Sequence, residues 1–582
     1  MKKIVNHKYS ILLVIIVLVV ANYLANAFYK KIDLTKEKRY SLSASSIALL
    51  KNLKEPVTIQ VFLEGEYPAS FKKFANATKE FLEACNSYAK GKLKIQYSNP
   101  FANLGEAEIA NYKDSMLYLY DIPCIENIKT LQTDKSENNT KTAILPGAVV
   151  SSGNKSFGVN FVRRAVLDFT NELAMADLFE KIETSLEYKF MDAITKATNA
   201  TVKTIGYATG NGEPTDSSAV VADIITTLSP KSEASIAYKF GVVNIQDVNT
   251  IPTEIQLLLI TKPTIAFTEK DKLKIDQYIM HGGNVLWMMD NMYAEFDSLL
   301  QSGNQGFIAF DRALNMDDML YKYGVRINQN LLQDLQSDKI PLVKGNTQVG
   351  ISKQLVPFSY MPILQGTNHP ISKNLDGIRS IFPNTLDTIQ VADIAKTILL
   401  TSSANAAIIG TPYKVDFSFM QYADDKEKFT KPYVPVAVLL EGNFTSYFAN
   451  RISKTLQDSL AAYRTPFVDK AIQPGKMIIV ADGDIATNMV TQQGNPLQMG
   501  ENNYTGITYA NKDFFINCID YLTGNAAVLQ TRNKDYSSNL IDPIKKESDA
   551  TKWKLITTAL PLGLLICFAA LFNFIKKRKY VK

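Results

Sequence analysis

The sequence predicts an α/β protein whose main domain is a doubly wound, mostly parallel sheet, flanked by a transmembrane helix at each end. Three observations carry this. From Val202 onward, short β-branched and aliphatic runs alternate with amphipathic segments, the pattern of strand–helix–strand units in a parallel sheet. A separate β-α-β pattern precedes it, over residues 57–97. Two uncharged segments, Ser10–Tyr29 and Leu555–Ile575, bracket the rest.

The 582 residues are 46% hydrophobic and 21% charged. That excludes a wholly disordered chain. The net charge of +6 comes from the two ends: without Lys2, Lys3, Lys8, Lys576, Lys577, Arg578, Lys579 and Lys582, 55 basic residues face 57 acidic ones. A body so balanced is not the basic face of a nucleic-acid binder, and no nucleic-acid partner is expected.

Each uncharged segment is about 30 Å long as a helix, enough to cross a bilayer. The second is followed at once by the basic cluster Lys576–Lys579. The first fits a signal anchor, and its basic start and Ala25-Asn26-Ala27 fit a cleavable signal peptide as well. With an anchor retained, both ends lie in the cytoplasm and residues 30–554 lie in the periplasm, at the inner membrane. The resulting order is a tail at 1–9, a transmembrane helix at 10–29, an N-terminal α/β domain at 30–165 and a connecting helix at 166–200. The doubly wound domain at 201–535, a linker at 536–554, a transmembrane helix at 555–575 and a basic tail at 576–582 follow.

Within the first domain, Ser43 is a plausible N-cap for a helix over Ala44–Leu53. Val57–Leu63 and Leu93–Tyr97 read as parallel strands around a helix at Phe71–Ala89, with further strands at Ala143–Val150 and Ser156–Val162. Lys129–Lys141 is polar and reads as a loop. Ala174–Ala197 carries Leu178, Ile182, Leu186, Phe190 and Ile194 at four-residue spacing, a stripe for packing between lobes or for a coiled coil with another chain. In the second domain, strands fall at Val202–Ala208, Ile255–Thr261 and Asn284–Met289, with helices at Ser218–Leu228 and Glu269–Met280. The pattern loosens over 300–430 and returns with strands at Val434–Leu440 and Met477–Ala481 and a helix at Asp513–Leu522.

The search for chemistry is mostly negative. His281 and His369 have no partner at metal-ligand spacing, and there is no HExxH. No G-x-S-x-G or CxxC occurs, and the cysteines show no disulfide framework. Gly345–Ser352 has P-loop glycine spacing but Ile351 where the lysine belongs. Neither cofactor nor metal is expected. What remains is a set of residues at the carboxyl ends of predicted strands: Gly212, Glu213, Asp290, Asp482 and Asp484. Open α/β sheets bind ligands there. Asp482 and Asp484 have the oxygen donors for a hard cation, but capping of turns and helix starts is the favoured account of these short acids.

Several stretches together resemble a known family. They are Asp33-Leu34-Thr35 with Tyr40-Ser41-Leu42-Ser43, Gly212-Glu213-Pro214, and His281-Gly282-Gly283-Asn284-Val285-Leu286 before Asp290. Glu441-Gly442-Asn443-Phe444 and Ile479–Asp484, followed by Asn517–Asp520 and Arg532, complete the set. The chain resembles the gliding-motility ABC-transporter auxiliary proteins, the GldG-like family of Bacteroidetes. The resemblance implies a non-enzymatic, substrate-binding-like membrane subunit that docks on a separate permease and a separate ATPase. It also implies a middle domain like that of an intraflagellar-transport protein, related to class I glutamine amidotransferases. Those enzymes need a Cys after a strand; here the turn after Ile255–Thr261 is Lys262-Pro263-Thr264. A glycan or peptide ligand stays open, as do the alternatives of a cell-envelope hydrolase and a glycan-binding scaffold. Asn22 and Asn26 share a helix face and fit either a partner helix or a lipid-facing place near the interface, and Pro561 and Gly563 leave room for close approach in the second helix.

Overall fold

The computed structural model describes residues 41–533 and 550–580, with breaks at 66, 103, 126–142, 163–170, 200, 230, 303–304, 348–349 and 418–425, and residue 16. The expected loop at Lys129–Lys141, the motif Asp33-Leu34-Thr35 and most of the 536–554 linker lie outside the described residues. Residues 1–534 and 535–582 are two separate units.

The first sheet grows from the β-α-β unit read in the sequence. Ser43 accepts from the Ser46 amide and starts α1 (Ala44–Lys51). Strands β1 (Val57–Val61) and β2 (Leu93–Tyr97) flank α2 (Ala69–Tyr88) and pair in parallel, Val57 opposite Leu93. After α3 (Glu106–Tyr120), β3 (Gly147–Ser152) and β4 (Lys155–Asn160) add antiparallel, giving the order β2-β1-β3-β4. The sequence pattern missed α3 because only Met116 of this helix is a buried apolar residue, while Leu117 and Tyr118 face solvent. No apolar stripe forms without a face to bury.

Helix α4 (Glu172–Thr198) packs against α2, β3 and β4. Ile182, Leu186, Phe190 and Ile194 of the stripe are buried, with Phe179 beside them, in a core shared by the first sheet and the second. Phe179 stacks on Phe74 at 5.2 Å and meets Phe71 edge-on at 5.4 Å. The stripe is therefore spent inside this chain rather than on a coiled coil, and burying four such side chains contributes roughly 6–12 kcal/mol before entropy.

The second sheet has ten strands. Its parallel half comprises β5 (Lys203–Thr209), β6 (Tyr238–Asn244), β7 (Leu257–Thr261), β8 (Asn284–Met288) and a later strand, β13 (Gly475–Val480). Helices α5 (Ala222–Leu228) and α6 (Glu269–Met280) lie between them in sequence. All five pair in parallel in the order β6-β5-β7-β8-β13. The chain thus reverses its direction of winding between β5 and β7, which is the topological switch point of a doubly wound sheet. β7 is buried at every position, as expected of a strand covered on both faces.

Four more strands extend this sheet antiparallel from β13: β12 (Pro435–Gly442), β11 (Ile394–Thr401), β10 (Gly350–Gly366) and β9 (Ser337–Thr347), and the two-residue strand Ile378–Arg379 pairs with β10 as the tenth. The expectation of a mostly parallel sheet is corrected on this point: the sheet is mixed. Gly345 and Ser352, the ends of the P-loop-like stretch, pair across the β9–β10 hairpin, so that stretch is not a strand–loop–helix phosphate cradle. His281 caps the end of α6 and His369 sits in a turn against Tyr521. Helix α7 (Asn511–Leu522) packs on the parallel half.

Among the described residues no helix is long and apolar enough to cross a membrane. The two flanking transmembrane helices expected from the sequence are not supported there. Segment 10–29 lies outside the described residues except Ile16. Segment 555–575 falls on α8 (Ala550–Tyr580). In that stretch Leu560, Leu564, Ile566, Phe568 and Phe572 are all exposed.

Candidate functional site

Parallel strands all point their carboxyl ends to one edge, so the loops after β5, β7, β8 and β13 converge there. After β5 the chain turns through Gly210, Asn211 and Gly212. Gly212 has φ +79°, and a Cβ there would stand 2.2 Å from Thr264 Oγ1; only glycine fits both demands. The Asn211 carbonyl accepts from the Thr264 and Ile265 amides at 2.9 and 2.8 Å, and the Gly212 carbonyl accepts from the Thr264 hydroxyl at 3.0 Å. These bonds staple the β5 and β7 loops together at the switch point.

Lys262 follows β7 directly and adopts φ +50°, a left-handed conformation uncommon for a residue with a long side chain. Its ammonium lies 2.5 Å from Asp484 Oδ1, 3.0 Å from Glu295 Oε2 and 3.6 Å from Asp290 Oδ2. The Arg312 guanidinium pairs with the other oxygen of Glu295. Burial alone would lower the Lys262 pKa; the carboxylates of Asp484, Asp290 and Glu295 outweigh it and hold the amine charged well above its ordinary range.

The acids themselves are anchored by backbone. Asp290 Oδ1 accepts from the Gly483 amide at 2.6 Å. Asp482 Oδ1 accepts from the Asp484 amide at 2.7 Å and caps the short helical turn Gly483–Ala486. Its Oδ2 accepts from the Ile381 amide at 2.8 Å and from the Ser380 hydroxyl. Asp290, Asp482 and Asp484 each bring one oxygen within 4.8 Å of the others. Burial raises Asp290 to about 6 against the pull of Lys262. Burial, then the charges of Asp290 and Asp484, push Asp482 well above the usual carboxylate range. Glu213 stands apart from this cluster. Its Oε2 accepts from the Asn211 amide at 2.7 Å, its Oε1 is buried without a hydrogen bond among the described residues, and burial raises it to about 7.

A cavity of about 350 Å³ opens at this edge. Gly212 and Asp484 line it together with Lys262, Glu295, Arg379 and Asn488. Asp290, Asp482 and Glu213 lie outside its lining. Arg379 is held by Asp338, Nε to Oδ2 at 2.7 Å. The structure therefore gathers Asp290, Asp482 and Asp484 in one cluster, with Gly212 on the cavity wall and Glu213 behind it. Sequence reasoning missed Lys262, Glu295, Arg312 and Arg379. Lys262 alone carried a signal: it sits in the loop after a buried strand at the switch point, but only a cysteine was sought there. Of the cavity's lining carboxylates, Glu295 and Asp484 are both paired with Lys262.

Comparison with known proteins bears on the same region. Residues 36–151 match a domain of unknown function (DUF7088). Among curated proteins none matches. Of solved structures, the chain is similar to "mmIFT52 N-terminal domain" at 14% identity, covering 55% of this chain and 98% of that one, with a TM-score of 0.29. It is also similar to an exo-β-1,4-mannosidase, Op5Man5, from Opitutaceae bacterium strain TAV5, at 9% identity, covering 86% of this chain and 56% of that one, with a TM-score of 0.21. Residues 202–518, which hold the switch-point cleft and every side chain described around it, match the family model for the ABC-type uncharacterized transport system, and the chain belongs to this family of ABC-transporter auxiliary proteins.

Proposed function

We propose that this chain is a non-enzymatic, substrate-binding-like subunit of an ABC transporter that docks on a separate permease and a separate ATPase and serves gliding motility. The family places it with transport systems. One observation carries the non-enzymatic part: the best-placed polar groups of the cleft pair with one another around Lys262. Within that network Glu295 and Asp484, the two acids that line the cavity, are both paired with Lys262. Gly212, Glu213, Asp290, Asp482 and Asp484 then frame a ligand cleft rather than a catalytic centre, with the cavity of about 350 Å³ at the small end of the range for bound small molecules.

Attachment to the inner membrane is part of the same reading. The uncharged run Leu555–Ile575, the basic cluster behind it and the exposed apolar side chains of α8 support a membrane anchor. Residues 10–29 would be the second anchor, with the body on the periplasmic side. Co-purification from native membranes in mild detergent tests the partnership: a permease and an ATPase should come with the chain. Repeated isolation of the chain alone at native expression would overturn it. Protease treatment of intact spheroplasts should digest residues 30–554; full protection would reverse the topology. Loss of spreading in a strain lacking the chain tests the motility role.

A further inference from the structure

We propose that Asp290, Asp482 and Asp484 form a divalent-cation site that Lys262 keeps closed until a hard cation displaces its ammonium into the adjoining cavity. The proposal rests on reading the switch-point cleft as the ligand site, but not on the transporter partners. A failed co-purification and a failed cation titration are therefore separate results.

The first observation is spacing. Each of the three carboxylates offers one oxygen within 4.8 Å of the others. Oxygens on opposite sides of a calcium ion stand about 4.8 Å apart, from bond lengths of roughly 2.4 Å. Backbone amides fix two of the three, Gly483 holding Asp290 and Ile381 and the Asp484 amide holding Asp482, and the Thr487 hydroxyl holds Asp484 at 3.0 Å.

The second observation is a vacant lone pair. The Asp290 side chain is 7% exposed, and its Oδ2 accepts no hydrogen bond among the described residues. The Lys262 ammonium pairs with it at 3.6 Å, beyond hydrogen-bond reach. A buried charged oxygen left without a donor is costly, and a cation seated among the three carboxylates would satisfy it. Charge points the same way: among the described residues the ion pairs of Asp290, Glu295 and Asp484 come from Lys262 and Arg312, three carboxylates to two cations.

Lys262 already behaves as a monovalent occupant, 2.5 Å from Asp484. It also lines the cavity and bonds Glu295 at 3.0 Å. On leaving the three aspartates its ammonium keeps Glu295 as partner. A divalent ion replaces one positive charge with two where the carboxylates outnumber the cations.

Calcium is the probe, added to the full-length chain in detergent and followed by calorimetry. One site is expected, weakened at least tenfold by D484N and tightened at least tenfold by K262M, which removes the competing ammonium. A second measurement uses the unaltered chain. Lysine acetylation read by mass spectrometry should accelerate severalfold at Lys262 when calcium is added, while the exposed Lys239 stays constant. Absence of calcium binding by a K262M chain with native circular dichroism would overturn the proposal. So would unchanged labelling of Lys262 at calcium concentrations up to the millimolar range, which decides the matter even where K262M fails to fold.

Discussion

Replacing Glu213 by Gln should make the protein more stable at pH 8 and leave it unchanged near pH 4.5. Glu213 is 6% exposed, and burial raises its pKa from the ordinary 4.5 to about 7. Its own backbone and the Asn211 amide offset only part of that. Between pH 4.5 and 7 the unfolded chain gives up this proton while the folded chain keeps it. The folded state then binds more protons, so stability falls as pH rises through that window. At about 1.4 kcal/mol per pH unit the gap corresponds to about 3 kcal/mol at pH 8. Gln is neutral at every pH, and its carbonyl can keep the 2.7 Å bond from Asn211. Urea unfolding of the full chain in detergent, wild type against E213Q, from pH 4.5 to 8 measures the difference. A stability difference that does not change with pH, or a variant weaker than wild type at pH 8, would refute the argument that burial controls this carboxyl.

Three further outcomes follow from the same geometry. Lys262→Met should cost about 3–5 kcal/mol at pH 8, because it strands the Asp484 and Asp290 carboxylates; the loss should shrink below pH 6, where Asp290 takes up a proton, as thermal melting at pH 8 and pH 5 would show. Asp276→Ala should cost about 3 kcal/mol or more in denaturant unfolding. It removes a fully buried carboxylate that accepts from Tyr323, Ser446, the Tyr447 amide and Gln277 at 2.6–2.9 Å and ties α6 to the loop after β12. Gly212→Ala should cost about 1–3 kcal/mol, since it adds a Cβ at positive φ against Thr264; unfolding measurements would check it, and a neutral result would show that the switch-point loops are not stapled as described.

Period and composition made much of the fold legible. Helix α6 lies at the residues its apolar spacing and closing Gly282-Gly283 indicate, and β5, β7, β8 and β13 are within a few residues of their aliphatic runs. Strand β6 was not legible: it is an edge strand with Lys239, Gly241 and Val242 exposed, so neither alternation nor a continuous apolar run marks it. The hairpin of β9 and β10 was hidden as well, since Pro341, Pro357 and Pro362 interrupt it, and proline lowers any local strand signal.

The sequence by itself determined the local elements and the places where strands end, and so it pointed to Gly212, Glu213, Asp290, Asp482 and Asp484, because periodicity and turn chemistry act over a few residues. Only the tertiary structure decided that β13 lies beside β8 across nearly two hundred residues of chain, and this pairing brings Asp482 and Asp484 to Asp290. It also decided that the Lys262 ammonium pairs with Asp484 and Asp290. Strand order and side-chain convergence are set by long-range packing, which no local pattern encodes.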